Sequence, residues 1–314
     1  MAAYLELYRS GKLAERVEAA RALLKNCRLC PRHCGINRLA DELGQCRTGV
    51  LAVISSYGPH FGEEAPLVGN HGSGTIFFAN CNLKCIFCQN YTISQLGEGN
   101  EITVEEIARI MLALQDRGCH NINLVSPTHV VPQILEALEI AANLGLGLPL
   151  VYNSGGYDAL ETLKILDGIV DIYMPDMKYD DEKIAEELSG IKDYPTINRI
   201  ALKEMYRQVG DLLIDEDGIA LRGLLIRHLV LPNQLAGTDG IMKFIADEIS
   251  TNSYINVMSQ YHPCYKAFSS RQLNRPLLKQ ELLEAVNLAI RSGLGRLDGM
   301  SKHGQYDLIR AITK

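Results

Sequence analysis

The hydrophobic pattern changes along the chain, from a helical period near the N-terminus to short apolar runs that alternate with amphipathic segments. Residues 3–26 carry apolar side chains at helical spacing. Six short apolar runs follow from Thr75 onward, and they predict strands at residues 75–79, 121–125, 149–152, 170–174, 224–231 and 255–259. The segments between and after them predict helices at residues 104–117, 132–144, 158–166, 180–188, 238–249 and about 279–292.

This alternation predicts the fold class. Strands separated by helices of this length indicate βαβ units and a parallel sheet. Six such units predict an α/β fold, a partial (β/α)6 barrel whose active groups lie on the loops after the strands. Residues 50–55 predict one further strand, residues 58–74 read as a Gly- and Pro-rich loop, and residues 211–221 read as an inserted hairpin around Asp217-Gly218.

The N-terminal part has a different character from the rest. A Cys-rich segment from Cys27 to Gly49 follows the first helical region, and its Pro and Gly content indicates knuckle-like loops. We therefore expect a helical, Cys-rich extension at residues 1–70 and a core with a C-terminal helix at residues 71–314. The length of 314 residues, with 47% hydrophobic and 22% charged residues, is ordinary for a soluble globular protein with a sizeable core.

The net charge and the cysteine content indicate which classes of partner and which cellular compartment to expect. A formal net charge of −6 does not suggest a surface for a phosphate backbone, so no nucleic-acid partner is expected. The N-terminus lacks the apolar stretch of a signal peptide, and the most apolar region, residues 134–152, is interrupted by charged residues and Pro149, so no membrane partner is expected. Seven of the nine cysteines fall in two clusters, which favours metal binding or reactivity in a reducing cytoplasm.

Three cysteines directly follow the first strand of the alternating series, in the run CNLKCIFCQN. Cys81, Cys85 and Cys88 are spaced C-x3-C-x2-C. Thiolates suit iron–sulfur clusters or zinc, and electron-transfer 4Fe–4S clusters use four cysteines. Three ligands leave one iron open to bind a substrate or cofactor. The alternatives are a zinc knuckle or three buried structural thiols, and the position after the first strand favours the cluster.

This motif, with Phe87 before its last cysteine and Gln89-Asn90 after it, resembles the radical S-adenosylmethionine (SAM) superfamily. Within that superfamily it resembles the pyruvate formate-lyase activating enzyme branch, in particular uncharacterised Fe–S proteins with an extra N-terminal Cys segment. The resemblance covers most of the chain. It implies a 4Fe–4S cluster whose open iron binds SAM. One electron from a reductant such as flavodoxin or ferredoxin then splits SAM into methionine and a 5′-deoxyadenosyl radical.

The resemblance also suggests SAM contacts at the strand ends. Phe87 is expected near the adenine. Asp176 and Lys178 resemble the Asp-x-Lys motif of activating enzymes, and strand alternation puts them on one face. His262 lies in a segment similar to the one whose His approaches SAM in those enzymes. Further polar candidates follow the second and third strands of the series, at Ser126, Thr128, Asn153 and Ser154.

Two strand ends leave questions open. Relatives often carry Gly-Gly-Glu where this chain has residues 126–129, Ser-Pro-Thr-His, so no carboxylate is available there for the amino group of SAM. A turn with Thr128 as a helix N-cap is the structural alternative. Arg227 and His228 resemble a family strand as well, but alternation turns only one of them inward and does not say which.

A second cysteine cluster consists of Cys27, Cys30, Cys34 and Cys46. Four thiols suit a closed zinc site or a fully ligated cluster, with His33 as a substitute ligand. Our first hypothesis is a structural metal, the second an auxiliary 4Fe–4S cluster that relays electrons, and the third unligated thiols. Cys119 and Cys264 read as packing residues.

Three functions compete. The first is a radical SAM enzyme, which either activates a glycyl radical enzyme as its protein substrate or modifies a peptide, cofactor or small molecule. The second is an Fe–S or zinc protein for electron transfer or scaffolding, which explains the cysteines but not Asp176, Lys178 and His262 at separate strand ends. The third is another nucleotide-dependent α/β enzyme, which the lack of a G-x-x-x-x-G-K-[ST] loop disfavours.

Overall fold

The computed structural model describes residues 1–299. Its strands are β1 (Ala52–His60), β2 (Ser73–Phe78), β3 (Asn100–Ile102), β4 (Ile122–Val125), β5 (Leu150–Ser154), β6 (Ile172–Pro175), β7 (Leu213–Ile214), β8 (Ala220–Leu229), β9 (Tyr254–Met258) and β10 (Arg296–Leu297). Its α-helices are α1 (Tyr4–Arg9), α2 (Lys12–Ala22), α3 (Ala65–Val68), α4 (Tyr91–Ser94), α5 (Val104–Asp116), α6 (Val131–Asn143), α7 (Leu160–Ile165), α8 (Glu182–Ser189), α9 (Tyr194–Val209), α10 (Thr238–Phe244) and α11 (Lys279–Arg291). Among these described residues, no helix has the length and apolar character that crossing a membrane requires.

The strands form one open mixed sheet in the order β10-β9-β8-β6-β5-β4-β2-β1-β3. Neighbours from β10 to β2 run parallel, whereas β1 is antiparallel to both β2 and β3. The prediction of an α/β fold with a parallel sheet is confirmed, and the strand pairs found in residues 1–299 leave the sheet open. Because the parallel strands end at one edge, the loops after β2, β4, β5, β6, β8 and β9 meet there.

Local sequence features explain the element boundaries. Helix α5 begins with a capping box, in which Thr103 and Glu106 satisfy each other's backbone N–H groups. Helix α8 begins at the side-chain cap of Asp181 and ends at Gly190 in the left-handed conformation. The predicted hairpin is present as β7 paired with β8.

Some sequence predictions were wrong in part. The predicted N-terminal helix is divided into α1 and α2, because Gly11 adopts a φ of 75° between them. Residues 58–74 are not all loop, since β1 continues to His60 and α3 follows it. The short strand β3 was not predicted.

Helix α9 was also missed, although it is 16 residues long. Its buried face mixes apolar residues such as Leu202 and Met205 with the polar Asn198, which weakens the apolar period. Asn198 is buried because its Nδ2 donates to the carbonyls of Gly156 and Asp176, at 2.9 Å in each case. The polar positions that hid this helix therefore support the functional edge of the sheet.

The Cys-rich segment is fastened to the rest of the fold. Arg38 is fully buried, and its guanidinium donates to the carbonyls of His129 at 2.7 Å and Gly49 at 2.8 Å. Thr162 on α7 donates to the carbonyl of Leu29 at 2.9 Å. Since β1 also pairs with β2, the N-terminal part packs directly against the strand that precedes the three-cysteine loop.

Candidate active site

The three predicted cluster ligands lie on the loop after β2, residues 81–88, which we call the cluster loop. Cys81, Cys85 and Cys88 all line one pocket at the carboxyl edge of the sheet. Backbone N–H groups of Lys84 and Ile86 donate to the carbonyls of Ser189 and Leu188, at 3.2 and 2.9 Å. The Ser189 hydroxyl also donates to Cys85 Sγ at 3.0 Å. The end of α8 thereby holds the cluster loop from behind.

The chemistry of these thiols fits a cationic cluster. Burial raises the pKa of the Cys81 thiol to about 12, and although the N–H of Leu83 lowers it, the neighbouring Cys85 and Cys88 raise it again. Burial raises the pKa of Cys85 as well. Metal ligation needs the thiolate form, and bound metal supplies the positive charge that stabilises it. Three adjacent thiols and one shared pocket suit an Fe–S cluster with an open position.

Asp176 and Lys178 meet in the same pocket, as strand alternation predicted. Lys178 Nζ lies 2.5 Å from Asp176 Oδ2, and Arg227 Nε lies 2.8 Å from Oδ1. Burial would raise the pKa of the Asp176 carboxyl, but Arg227 and then Lys178 hold it below its ordinary value. Two cations therefore share one carboxylate at the end of β6. An ammonium group has three donors, so Lys178 keeps hydrogen-bonding capacity for an anionic ligand.

The structure decides between Arg227 and His228. Arg227 lines the pocket, whereas His228 is buried on the other side of β8. His228 Nδ1 donates to the carbonyl of Met177 at 2.8 Å, and Nε2 accepts from the Thr238 hydroxyl at 2.9 Å. Burial lowers the pKa of His228 to about 4, so the ring is neutral at pH 7. His228 is a packing residue, and Arg227 is the cation that this strand directs into the pocket.

Asp158 is a buried carboxylate that the sequence analysis missed. Its Oδ1 accepts from the hydroxyls of Thr128 and Tyr152, at 2.7 and 2.9 Å, and its Oδ2 accepts from Ser154 at 2.7 Å. Thr128 is therefore directed to Asp158 and is not among the pocket residues. It is not a helix cap either, since α6 begins at Val131 without a side-chain cap. Asp158 fixes the turns after β4 and β5.

Three of the other predicted polar contacts do line the pocket, namely Ser126, Asn153 and Ser154. The hydroxyl of Ser154 is committed to Asp158. Asn153 is 4% exposed, and no hydrogen bond of its side chain is described within residues 1–299. Ser126 has a φ of 59°, which turns the backbone sharply after β4. Asn153 and Ser126 are thus the polar groups that remain for a ligand at these two strand ends.

Gly156 occupies the tightest point of the turn after β5, with a φ of 73°. A Cβ there would overlap the carbonyl of Asp176 and the amide of Asn198. We expect Gly156→Ala to lower the free energy of unfolding by roughly 2–4 kcal/mol, from left-handed strain plus overlap. Urea denaturation checks this against Gly11→Ala, where φ is 75° and no atom of the described part of the chain lies within 4 Å of the added Cβ. If both variants lost the same free energy of unfolding, the overlap would not contribute to the loss at Gly156.

Phe87 forms an aromatic wall of the pocket. Its ring packs edge-on against Tyr179 and Tyr261, with centroid distances of 6.3 and 6.1 Å. Phe87 is buried and also lines the pocket. Core packing and contact with a ligand are therefore compatible at this position.

His262 lies at the rim and is not among the residues that line the pocket. It is exposed, and its Nδ1 is 3.1 Å from Gln89 Nε2. The same Gln89 amide donates to the carbonyl of Gln260 at 2.6 Å. Gln89 and Gln260 both line the pocket, and His262 Nδ1 also lies 3.2 Å from the carbonyl oxygen of Gln260, so His262 contacts two pocket residues from the rim. The Gln after the third cysteine was the sequence signal for this contact.

The last residues of three strands also line the pocket, although the sequence analysis did not single them out. Val125, Leu229 and Met258 stand at the ends of β4, β8 and β9 and face the pocket. Their apolar character made them indistinguishable from core residues. They form an apolar wall beside the polar groups of β5 and β6.

The four N-terminal cysteines surround a second, smaller cavity. Cys27, Cys30, Cys34 and Cys46 line it together with Arg32 and His33. Burial raises the pKa of Cys30 to about 12; the N–H of Arg32 lowers it, and Cys46, Cys27 and Cys34 raise it. The structure thus brings the four thiols together. Within residues 1–299, neither cysteine set brings three His, Cys, Asp or Glu side chains to the spacing that one metal ion requires.

Comparison with known proteins agrees with this site. The profile of the Radical SAM superfamily matches residues 75–210, a span that holds the cluster loop, Asp176 and Lys178. The uncharacterized protein MJ0674 of Methanocaldococcus jannaschii is 36% identical over 91% of this chain and 80% of its own length. The uncharacterized protein MJ0808 of the same organism is 27% identical over 85% of this chain and 78% of its own length. The chain belongs to the radical SAM superfamily, which implies a 4Fe–4S cluster and SAM.

Solved structures with some similarity include Streptococcus suis SuiB bound to S-adenosylmethionine, with a TM-score of 0.48 and 16% identity. The alignment covers 70% of this chain and 47% of SuiB. A radical SAM methyltransferase from Sphaerobacter thermophilus has a TM-score of 0.46 and 12% identity, over 70% of this chain and 64% of its own. This chain therefore spans less than two thirds of either structure.

Proposed function

We propose that this protein cleaves SAM reductively at a 4Fe–4S cluster held by Cys81, Cys85 and Cys88. The observation that carries the proposal is one shared pocket, in which these thiols meet the Asp176–Lys178 pair and Arg227. When bound, the cluster and SAM supply one-electron cleavage of the sulfonium, which yields methionine and a 5′-deoxyadenosyl radical. A protein that only carried electrons or served as a scaffold would not need this ion pair beside the open ligand position.

Each pocket residue has a proposed task in holding SAM. Lys178 neutralises the SAM carboxylate, and Asp176 orients Lys178 while accepting from a ribose hydroxyl. Asn153 and Ser126 offer polar contacts in place of the Gly-Gly-Glu of relatives. Phe87 contacts the adenine. These assignments rest on the side chains that line the pocket and on the hydrogen bonds already described.

The rim and turn residues act indirectly. Thr128 and Ser154 keep the turns after β4 and β5 in place through Asp158. His262 holds Gln89 over the pocket mouth. We assign these residues to positioning rather than to contact with the reacting atoms.

For the substrate, we infer activation of a glycyl radical enzyme as the first hypothesis. The support is the Asp-x-Lys arrangement at residues 176–178, which resembles the pyruvate formate-lyase activating enzyme branch. Modification of a peptide, cofactor or small molecule uses the same SAM chemistry and is the alternative. We further propose that residues 1–70 support the core, residues 71–314, and that Cys27, Cys30, Cys34 and Cys46 bind zinc or a second cluster.

Anaerobic SAM cleavage tests the central proposal. Protein reconstituted with iron and sulfide and reduced with dithionite is expected to release 5′-deoxyadenosine from SAM, measured by liquid chromatography. SAM should also change the EPR spectrum of the reduced cluster, because it binds the open iron. Protein without iron is the control. A fully loaded, reduced cluster that neither responds to SAM nor yields 5′-deoxyadenosine would refute the proposal.

A further inference from the structure

We propose that Cys27, Cys30, Cys34 and Cys46 hold a second 4Fe–4S cluster, through which an acidic one-electron carrier protein reduces the first. This inference rests on the proposed function and identifies its route of electron supply. It chooses between the two metals considered for this site, and it assigns a docking surface to the partner.

The donor set of the second cavity suits a closed electron-transfer cluster. Four thiols match the full ligation of a 4Fe–4S centre that carries electrons, in contrast to the three of the cluster loop. The backbone N–H of Gln45 donates to Cys34 Sγ at 3.5 Å, and such bonds to sulfur tune cluster potentials. A Cβ at Gly44 would lie 2.9 Å from Cys34 Sγ, so the backbone packs closely on this sulfur.

Zinc would require tighter convergence. With Zn–S bonds of about 2.3 Å, the sulfurs of one tetrahedral ion lie about 3.8 Å apart. Within residues 1–299, no group of three His, Cys, Asp or Glu side chains is placed to hold a single metal ion, and this is true of the N-terminal thiols as well as of Cys81, Cys85 and Cys88. The proposed function places a 4Fe–4S cluster at the latter set, and the same kind of centre suits the former.

Hydrogen bonds connect the N-terminal cysteine segment directly to the residues on either side of Cys81. Arg32, two residues after Cys30, donates from Nε to the carbonyl of Asn82 at 2.9 Å. Arg47, next to Cys46, donates from Nη2 to Asn80 Oδ1 at 3.2 Å. Asn80 and Asn82 flank Cys81 on either side. The two sites are therefore neighbours, and the path for an electron between them is short.

A groove on the surface opens beside the second site. Arg32, Arg47 and Lys84 line it together with Cys34, and among residues 1–299 no carboxylate belongs to its lining. Cys34 is also the partly exposed member of the four thiols, whereas the other three are buried. The whole chain has a net charge of −6, so this concentration of cations is a local feature. We call it the basic groove, and it complements an acidic partner such as flavodoxin.

The electron transfer balances without further reactants. One electron leaves the reduced carrier and passes through the N-terminal cluster to the cluster at Cys81, Cys85 and Cys88. No bond forms or breaks and no proton moves until SAM is cleaved. The carrier is then one unit more oxidised, and the electron resides in the products of the cleavage.

The first test separates the two sites by metal content. The variant with Cys81, Cys85 and Cys88 all changed to Ala is expected to bind about four iron and four sulfide per chain after anaerobic reconstitution. Its reduced EPR signal should not respond to SAM. Zinc alone, or no metal, in this variant would overturn the proposal, whatever the wild type does with SAM. If this variant binds iron but the wild-type protein does not cleave SAM, the result would instead refute only the proposed function.

The second test addresses the basic groove. Lys84→Glu is expected to slow reduction by reduced flavodoxin about tenfold at low salt, relative to reduction by dithionite in the same variant. Lys279→Glu is the matched control, because Lys279 lies at the start of α11, away from the groove lining. The effect should shrink as salt is added. An unchanged ratio in Lys84→Glu would overturn the docking assignment.

Discussion

Changing Cys85 to alanine is expected to abolish 5′-deoxyadenosine formation from SAM. Cys85 is buried, lines the pocket and accepts a hydrogen bond from Ser189. Its removal leaves two thiols in the cluster loop, too few to hold a 4Fe–4S cluster. The product should fall below detection, and iron content should fall by about four per chain.

The matched control for this variant is Cys119→Ala. Cys119 is also buried, at 2% exposed, but it belongs to neither cysteine set. Both variants lose one buried sulfur, so a general loss of packing would affect them alike. Circular dichroism should show that both fold. SAM cleavage that persists in Cys85→Ala, or is lost equally in Cys119→Ala, would contradict the ligand assignment.

Changing Asp176 to asparagine is expected to destabilise the protein strongly. The substitution keeps the side-chain shape but removes the carboxylate that Lys178 and Arg227 share. Breaking a buried ion pair by removing one partner costs roughly 3–5 kcal/mol, because the remaining charges stay buried without compensation. Urea denaturation at pH 7 measures the loss.

The pH dependence of this loss has a definite sign. The pKa of Asp176 is lowered in the folded protein, so its charge contributes stability above the unfolded-state pKa of about 3.9. That contribution disappears as the pH falls through the folded-state pKa. The difference between wild type and Asp176→Asn should therefore be largest near neutral pH and should shrink in acid.

Asp239→Asn provides the control for a surface carboxylate. Asp239 pairs with Lys243 at 2.7 Å, but both side chains are more than half exposed. An exposed pair of this kind is worth about 0.3–0.5 kcal/mol. If Asp176→Asn cost no more than this control at pH 7, the shared carboxylate would not stabilise the pocket.

The sequence predicted those features that short-range pattern determines. The strand positions follow from runs of apolar residues, and the meeting of Asp176 with Lys178 follows from the two-residue period of an extended chain. The spacing of Cys81, Cys85 and Cys88 predicted that the three thiols act together, and the structure brings them to one pocket. The sequence analysis missed or misplaced those residues whose positions depend on contacts between distant parts of the chain.

Asp158 and His262 show why the rest could not be read from pattern. Asp158 is buried only because Thr128, 30 residues earlier, and two other hydroxyls satisfy it. His262 is separated from Gln89 by 173 residues, and its place at the rim follows from that contact. Asn198 likewise serves two strand-end carbonyls from the missed helix α9. None of these partners can be deduced from spacing within one segment.

The bridging arginines, Arg32 and Arg47, bear on how this protein can be divided into working pieces. A fragment limited to residues 75–210 would retain the cluster loop but lose both arginines, together with β8 and β9. It would leave β6 as an uncovered sheet edge, which is prone to pairing with other chains. It would also leave Asp176 without Arg227. The smallest transplantable unit therefore reaches from the Cys-rich segment to at least β9, well beyond the stretch that carries the recognisable motif.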